Sequence, residues 1–170
     1  MLFQKEVQTQ QFLPVKGIIN ARDLGGYTMQ DGRILRDGVL LRSAHLAEAT
    51  DDDLKWLAEL PVAKVIDFRK EQEKPGRVDR VIPGAEYVIL PVDASGNAMA
   101  DATEDEKKKF TNQKKFEVKN IIVFAAFNER AQKLVRNMYP TLLFDPDCQK
   151  QFATFFQHIL ATDQGAVLYH

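Results

Sequence analysis

Ala166-Val167-Leu168-Tyr169-His170 is the stretch on which the fold turns. It is a short apolar run that closes on a histidine. Upstream, a helical stretch from about Asp147 to Asp163 puts Phe152, Phe155, Phe156, Ile159 and Leu160 on one predicted face, and Gly165 then breaks the pattern. Helix, tight turn and buried strand make the second half of a crossover unit, which predicts an α/β fold with a mostly parallel central sheet flanked by helices. A strand in such a sheet is covered on both faces. The domain is therefore expected to continue past His170 with a loop and another helix.

Two further segments suit the same sheet. Val62 to Phe68 is β-branched and apolar and ends at Asp67-Phe68-Arg69, while Tyr87 to Val92 reads alike and ends at Asp93. Ligands of open α/β sheets sit beyond the carboxyl ends of the strands. If the three strands run parallel, Asp67, Arg69, Asp93 and His170 share one rim. Nearer the N-terminus, Tyr27–Gln30 and Arg33–Arg36 flank Asp31-Gly32, a two-residue hairpin signal, and Asp37-Gly38 turns the chain again before Val39-Leu40-Leu41. Thr50 followed by three aspartates opens a helix, with the hydroxyl as cap, Asp53 completing a capping box and Leu54, Trp56, Leu57 and Leu60 as the apolar side until Pro61. Three successive residues on a helix cannot converge on one ion, so the aspartates are read as helix-start chemistry and not as a metal site.

The closing histidine gains meaning from three upstream segments. Asn20-Ala21-Arg22-Asp23-Leu24-Gly25-Gly26, Leu41-Arg42-Ser43-Ala44 and Val65-Ile66-Asp67-Phe68-Arg69, with Glu73 following, occur in this order. Together with His170 they resemble elements of the bacterial cysteine-dependent tyrosine and dual-specificity phosphatases, whose catalytic loop runs His-Cys, two variable residues, then Gly-Lys-Asp-Arg-Thr-Gly. The likeness is good over roughly Ile18 to Pro91 and acceptable in the final strand. It implies a tyrosine-phosphatase-like fold with an N-terminal hairpin and a helical insertion. It also implies a division into 1–93, an insertion or lid over 94–146, and 147–170 leading into the catalytic loop. His170 looks like that loop's first residue. The loop's Cys, Arg and Asp are absent from the 170 residues, so the segment alone is expected to be inert.

Cys148 is no substitute nucleophile. The position six residues on is Thr154, not arginine, and acidic neighbours raise a thiol pKa, whereas a reactive thiolate needs positive potential.

Composition narrows the remaining classes. A chain of 170 residues that is 45% hydrophobic and 28% charged supports one domain with a proper core. A net charge of -1 gives no global attraction to nucleic acid or to an anionic membrane. One cysteine excludes an internal disulfide framework, and no run approaches the roughly 20 apolar residues of a membrane span. Met1 to Gln11 lacks a signal-peptide core, which makes a cytoplasmic location the default; a signal removed earlier would leave the same sequence, so a secreted or periplasmic protein stays open. Zinc-ligand spacing is absent and no cofactor is called for. The oligomeric state is not legible.

The resemblance implies roles for the residues present. His170 supports the loop and helps hold down the thiol pKa. Asp93 lines the active site, or else caps the turn into Ala94-Ser95-Gly96-Asn97. Asn20, Arg22 and Asp23 pin the N-terminal segment beneath the loop, Arg42 and Ser43 tie it from below, and Asp67 and Arg69 form an ion pair or face the pocket. Lysines and phenylalanines between Asp101 and Pro140 form a lid or an ordinary helix face with core. His45 and His158 read as ordinary surface or packed residues. The partner is a phosphorylated protein or peptide, with two alternatives open: phosphoinositide hydrolysis, and a catalytically inactive phosphopeptide- or partner-binding module of the same fold.

Overall fold

The computed structural model of the chain describes residues 11–93, 136 and 139–170. The expected lid lies, for the greater part, outside these residues. Among the described residues, six strands join into one sheet in the order β1-β2-β3-β6-β4-β5, where β1 is Gln11–Phe12, β2 Arg22–Asp23, β3 Leu40–Arg42, β4 Val62–Asp67, β5 Glu86–Ile89 and β6 Ala166–Tyr169. The β1–β2 and β2–β3 pairs are antiparallel; β3–β6, β6–β4 and β4–β5 are parallel. The mixed, mostly parallel sheet expected from the C-terminal strand is present. Helix α1 spans Asp51–Glu59, α2 spans Pro146–Leu160, and Glu71–Glu73 forms a single 3-10 turn. The chain divides into two compact units, Met1–Pro91 with Thr154–His170, and Val92–Ala153.

Strand alternation sorts the core of the first unit into two layers. Leu41, Val65 and Leu168 pack with Leu54 and Leu57 of α1, while Ile66 and Val167 pack with Phe155 of α2. Neighbours such as Val65 and Ile66 are both 0% exposed because β4 is covered on both sides. Each such side chain contributes about 1.5–3 kcal/mol of burial. Phe155 also meets Phe68 and Tyr169 edge-on, with ring centroids 5.1 Å away in both cases. The single face expected for α2 is corrected in detail. Phe155 is buried and Ile159 packs beside it, but Phe156 is 57% and Leu160 82% exposed. At 100° per residue, one sequence neighbour of a buried residue is already rotated off the stripe.

The helix starts follow their caps. Thr50 Oγ1 accepts the Asp53 N–H, and Asp53 returns a bond to the Thr50 N–H. Asp53 does more than a capping box asks, since its carboxylate also accepts the N–H groups of Lys16 and Gly17, both at 2.8 Å. It is thus the tie between the N-terminal segment and α1. Burial pushes its pKa up, but the bonds from Thr50, Lys16 and Gly17 outweigh that and hold it at about 2 against an ordinary 3.8. A depressed carboxyl stabilises the fold above its unfolded pKa and ceases to do so as pH falls through the folded one. Asp53→Asn is expected to cost about 1–3 kcal/mol at neutral pH, because buried N–H donors lose their acceptor. Thermal melts of both proteins from pH 6 to pH 2 should show a constant gap down to about pH 4, closing below it; a gap that persists to pH 2 contradicts the assignment.

The hairpin expected around Asp31-Gly32 is present, with Thr28 bridged to Ile34 and Leu35 N–H bonded to Tyr27 O at 2.9 Å. Among the described residues, no helix is long and apolar enough to cross a membrane.

Candidate active site

The carboxyl ends of β4 and β6 lie side by side, and their hydrogen bonds carry on past the strands. His170 N–H donates to Ile66 O at 3.1 Å, and Phe68 N–H donates to His170 O at 2.8 Å. Ser43 N–H reaches Tyr169 O at 3.1 Å from the β3 side. His170 is therefore held by its backbone against the end of β4, with Tyr169 before it tied to the loop after β3, and its imidazole is only 2% exposed.

Around that ring the chain assembles a charged network. Arg69, two residues beyond β4, bonds through Nε to Asp67 Oδ1 at 2.9 Å and through Nη2 to Asp67 Oδ2 at 3.0 Å. The same Nη2 reaches Asp79 Oδ2 at 2.7 Å, and Nη1 reaches the Arg77 carbonyl at 2.7 Å. His170 Nε2 lies 3.0 Å from Asp79 Oδ2, and Nδ1 lies 3.8 Å from Asp67 Oδ1. Lys74 stands 3.8 Å from Asp67 and pairs with Glu71 at 2.6 Å. Burial works against the Arg69 charge, but the Asp67 and Asp79 carboxylates hold its pKa above the ordinary value. Burial likewise raises the Asp79 carboxyl, and His170, the Leu46 N–H and Arg69 outweigh it and keep the pKa low. Beside this network, a cavity of about 200 Å³ has Asp67, Arg69, Lys74 and Asp79 as its polar side and Val78, Val81, Tyr87, Val88 and Ile89 as its apolar side.

Asp67, Asp79 and His170 bring ligand atoms within 4.8 Å of one another, a spacing that suits a cation. The donor set argues otherwise, because the Arg69 guanidinium already bonds both carboxylates and supplies the matching charge.

The structure brings three of the four expected rim residues, Asp67, Arg69 and His170, into this cluster. The fourth, Asp93, belongs to the second unit; it is exposed, and its carbonyl accepts a long bond from Cys148 Sγ at 3.5 Å. Cys148 is 2% exposed at the start of α2, where Asp145 accepts the N–H groups of Asp147 and Cys148. Burial, then Asp145, Asp93 and Asp147, push its thiol pKa up, so it is no nucleophile.

Asn20, Arg22 and Asp23 form two separate links. Arg22 Nη1 bonds Asn20 Oδ1 at 2.6 Å, while Asp23, buried, accepts Gly25 N–H at 2.8 Å and Gly38 N–H at 2.6 Å. Arg22 pairs in register with Arg42, and Arg42 with Tyr169, so the two guanidinium groups stand in one row with the penultimate residue. Burial raises the Tyr169 pKa, and Arg42 and Arg22 work against that rise. Ser43 Oγ donates to the Ala44 carbonyl at 2.7 Å.

Asp79 was not foreseen. It lies twelve positions after Asp67 in an irregular loop, and no periodic spacing links the two. The one hint was an acid set between Val78 and Val81 after the Pro75-Gly76 turn. His45 was read as ordinary, yet its pKa is lowered by burial, Arg69 and Arg77, and its Nδ1 is buried without a hydrogen-bond partner.

A mostly parallel α/β sheet with a buried histidine among charged groups at its carboxyl edge places this cluster where open α/β proteins hold their ligands. Comparison identifies the family. The model of the tyrosine phosphatase family matches residues 13–170, and the chain belongs to that family. A protein of Cupriavidus necator, provisionally named a tyrosine-protein phosphatase, is 44% identical over 68 residues, which is 40% of this chain and 25% of that protein. The match thus spans about a quarter of the relative's length.

Proposed function

We propose that this chain is the N-terminal part of a cysteine-dependent protein tyrosine phosphatase, in which a loop entering directly after His170 carries the nucleophilic cysteine and the phosphate-binding arginine. The observation that carries this reading is the placement of His170: its imidazole is buried, its backbone is tied to the end of β4, and it lies at the carboxyl edge of the sheet. A phosphate dianion is held best by backbone N–H groups at a helix N-terminus together with a bidentate arginine. The thiolate attacks phosphorus, the bond to the substrate oxygen breaks, and a proton passes to the leaving oxygen. Water then attacks the phosphocysteine, releasing phosphate and restoring the thiolate. In this scheme Asp93 serves as an acid or water-orienting group, and Arg22 and Arg42 give the loop edge its positive potential. Serine and threonine phosphates share this chemistry, so a dual-specificity enzyme fits the same site.

The full-length protein should hydrolyse p-nitrophenyl phosphate and phosphotyrosine peptides, and replacing the cysteine after His170 by serine should abolish turnover while phosphopeptide is still bound. Inositol lipids as preferred substrates would instead favour the phosphoinositide reading. Binding without turnover by the unaltered protein would favour the inactive module. Asp93→Ala should lower kcat by about tenfold or more if the side chain serves the reaction; an unchanged kcat returns it to capping a turn.

A further inference from the structure

One carboxylate of the His170 network comes from outside the strands. Asp79 Oδ1 accepts the Leu46 N–H at 2.6 Å, in the loop that follows β3, while Oδ2 meets both Arg69 Nη2 at 2.7 Å and His170 Nε2 at 3.0 Å. A single side chain thereby links the loops that follow β3 and β4 to the residue that follows β6. His170 Nε2 is buried and has no aligned hydrogen bond, so the carboxylate at 3.0 Å is the nearest polar group opposing rotation of the ring.

We propose that Asp79 is a positioning residue for the reaction, holding the His170 imidazole from its Nε2 side so that the opposite side of the ring faces the loop that follows. The inference rests on the phosphatase reading above. The other charged or titratable groups around the ring are Asp67 at the end of β4, Arg69 just beyond it, Lys74 at the end of the 3-10 turn, Arg77 in the loop before β5 and His45 after β3. Within this set Asp79 bonds Arg69, contacts the imidazole and is itself anchored by a backbone N–H. Its place is set independently of the histidine. A ring fixed in this way can donate to the loop and favour the thiolate, whereas an amide in place of the carboxylate has one acceptor where the site uses two, and lends no support to positive charge on the ring.

The test uses the full-length protein with p-nitrophenyl phosphate, following kcat/KM from pH 4.5 to 7.5. Asp79→Asn should move the acid limb upward by about one pH unit, which is about tenfold in rate on that limb, with KM changed far less than kcat; Asp79→Glu should restore most of it. Tyr87→Phe is the structural control, because the Tyr87 hydroxyl accepts Ile82 N–H at 2.8 Å and donates to Arg80 O at 3.0 Å, fastening the same loop from another point. It should lower Tm and leave the acid limb in place. If Asp79→Asn does not fold, the unaltered protein decides: NMR should find a slowly exchanging imidazole N–H at His170 Nε2, and a rapidly exchanging one overturns the proposal. An active enzyme whose Asp79→Asn limb is unmoved overturns it as well, with the phosphatase reading intact. No turnover by the unaltered protein sinks that reading, and this inference with it.

Discussion

Arg69→Met is expected to destabilise the fold by about 3–5 kcal/mol at neutral pH, since two buried carboxylates lose the cation that bonds both of them. Methionine keeps most of the packing of the arginine stem and removes the fork that bonds Asp67, Asp79 and the Arg77 carbonyl. Both carboxylate side chains are below 10% exposure, at 8% and 9%, so water cannot take over the role of the guanidinium cheaply. The pH dependence has a definite sign. Arg69 is among the groups that lower the Asp79 pKa, and that part of the stability is full above the unfolded carboxyl range and fades as pH falls. The two proteins should therefore converge in acid. Urea unfolding at pH 7 and pH 3 measures this directly; a loss below about 1 kcal/mol at pH 7, the level of an exposed pair, contradicts a buried network.

Gly165→Ala is the second large effect. Gly165 joins α2 to β6 at φ +84°, and a methyl group there would stand 2.4 Å from the Pro61 carbonyl oxygen and 2.8 Å from the Ala63 Cβ. Left-handed backbone costs an alanine about 1–2 kcal/mol, and forcing a tight contact adds about 1–3 kcal/mol. Relaxation by shifting the turn would disturb the bond from Ala166 N–H to Pro61 O at 2.9 Å, which starts the pairing of β6 with β4. Gly84→Ala separates the two terms, because its φ is +85° and nothing lies within 4 Å of the added methyl group. It should cost only the first. Equal losses in the two variants, read from thermal or urea unfolding, would show that the crowding at Gly165 carries no weight.

How much of this was legible in the sequence depended on periodicity. The capping box at Thr50 and Asp53, the turn at Asp31-Gly32 and the buried run before Asp67 are local patterns, and each appears where it was read. The parallel direction of β5 was assumed and is observed, because β4 and β5 are joined through a loop long enough to return the chain to the same end. The mixed exposure of α2 was missed: Phe156 and Leu160 are as apolar as Phe155, and only the partner surface decides which of them is covered. The site divides in the same way. Asp67, Arg69 and His170 sit at strand ends that an apolar run announces, whereas Asp79 and His45 arrive through irregular loops, where neither spacing nor composition reports the path of the chain. The extra contacts of Asp53 to Lys16 and Gly17 were equally invisible, since they join segments 36 and 37 positions apart.

The position of β6 between β3 and β4 has a consequence for biosynthesis. During translation, β1 to β3 and β4 to β5 leave the ribosome as two ribbons that do not touch edge to edge, and each offers an unpaired border until the final strand is threaded between them. The nascent chain cannot complete its sheet by local zippering and must first close the loop from Asp67 to Ala166. The same strand leads into His170, so closing the sheet and bringing the imidazole to Asp67 and Asp79 become one event.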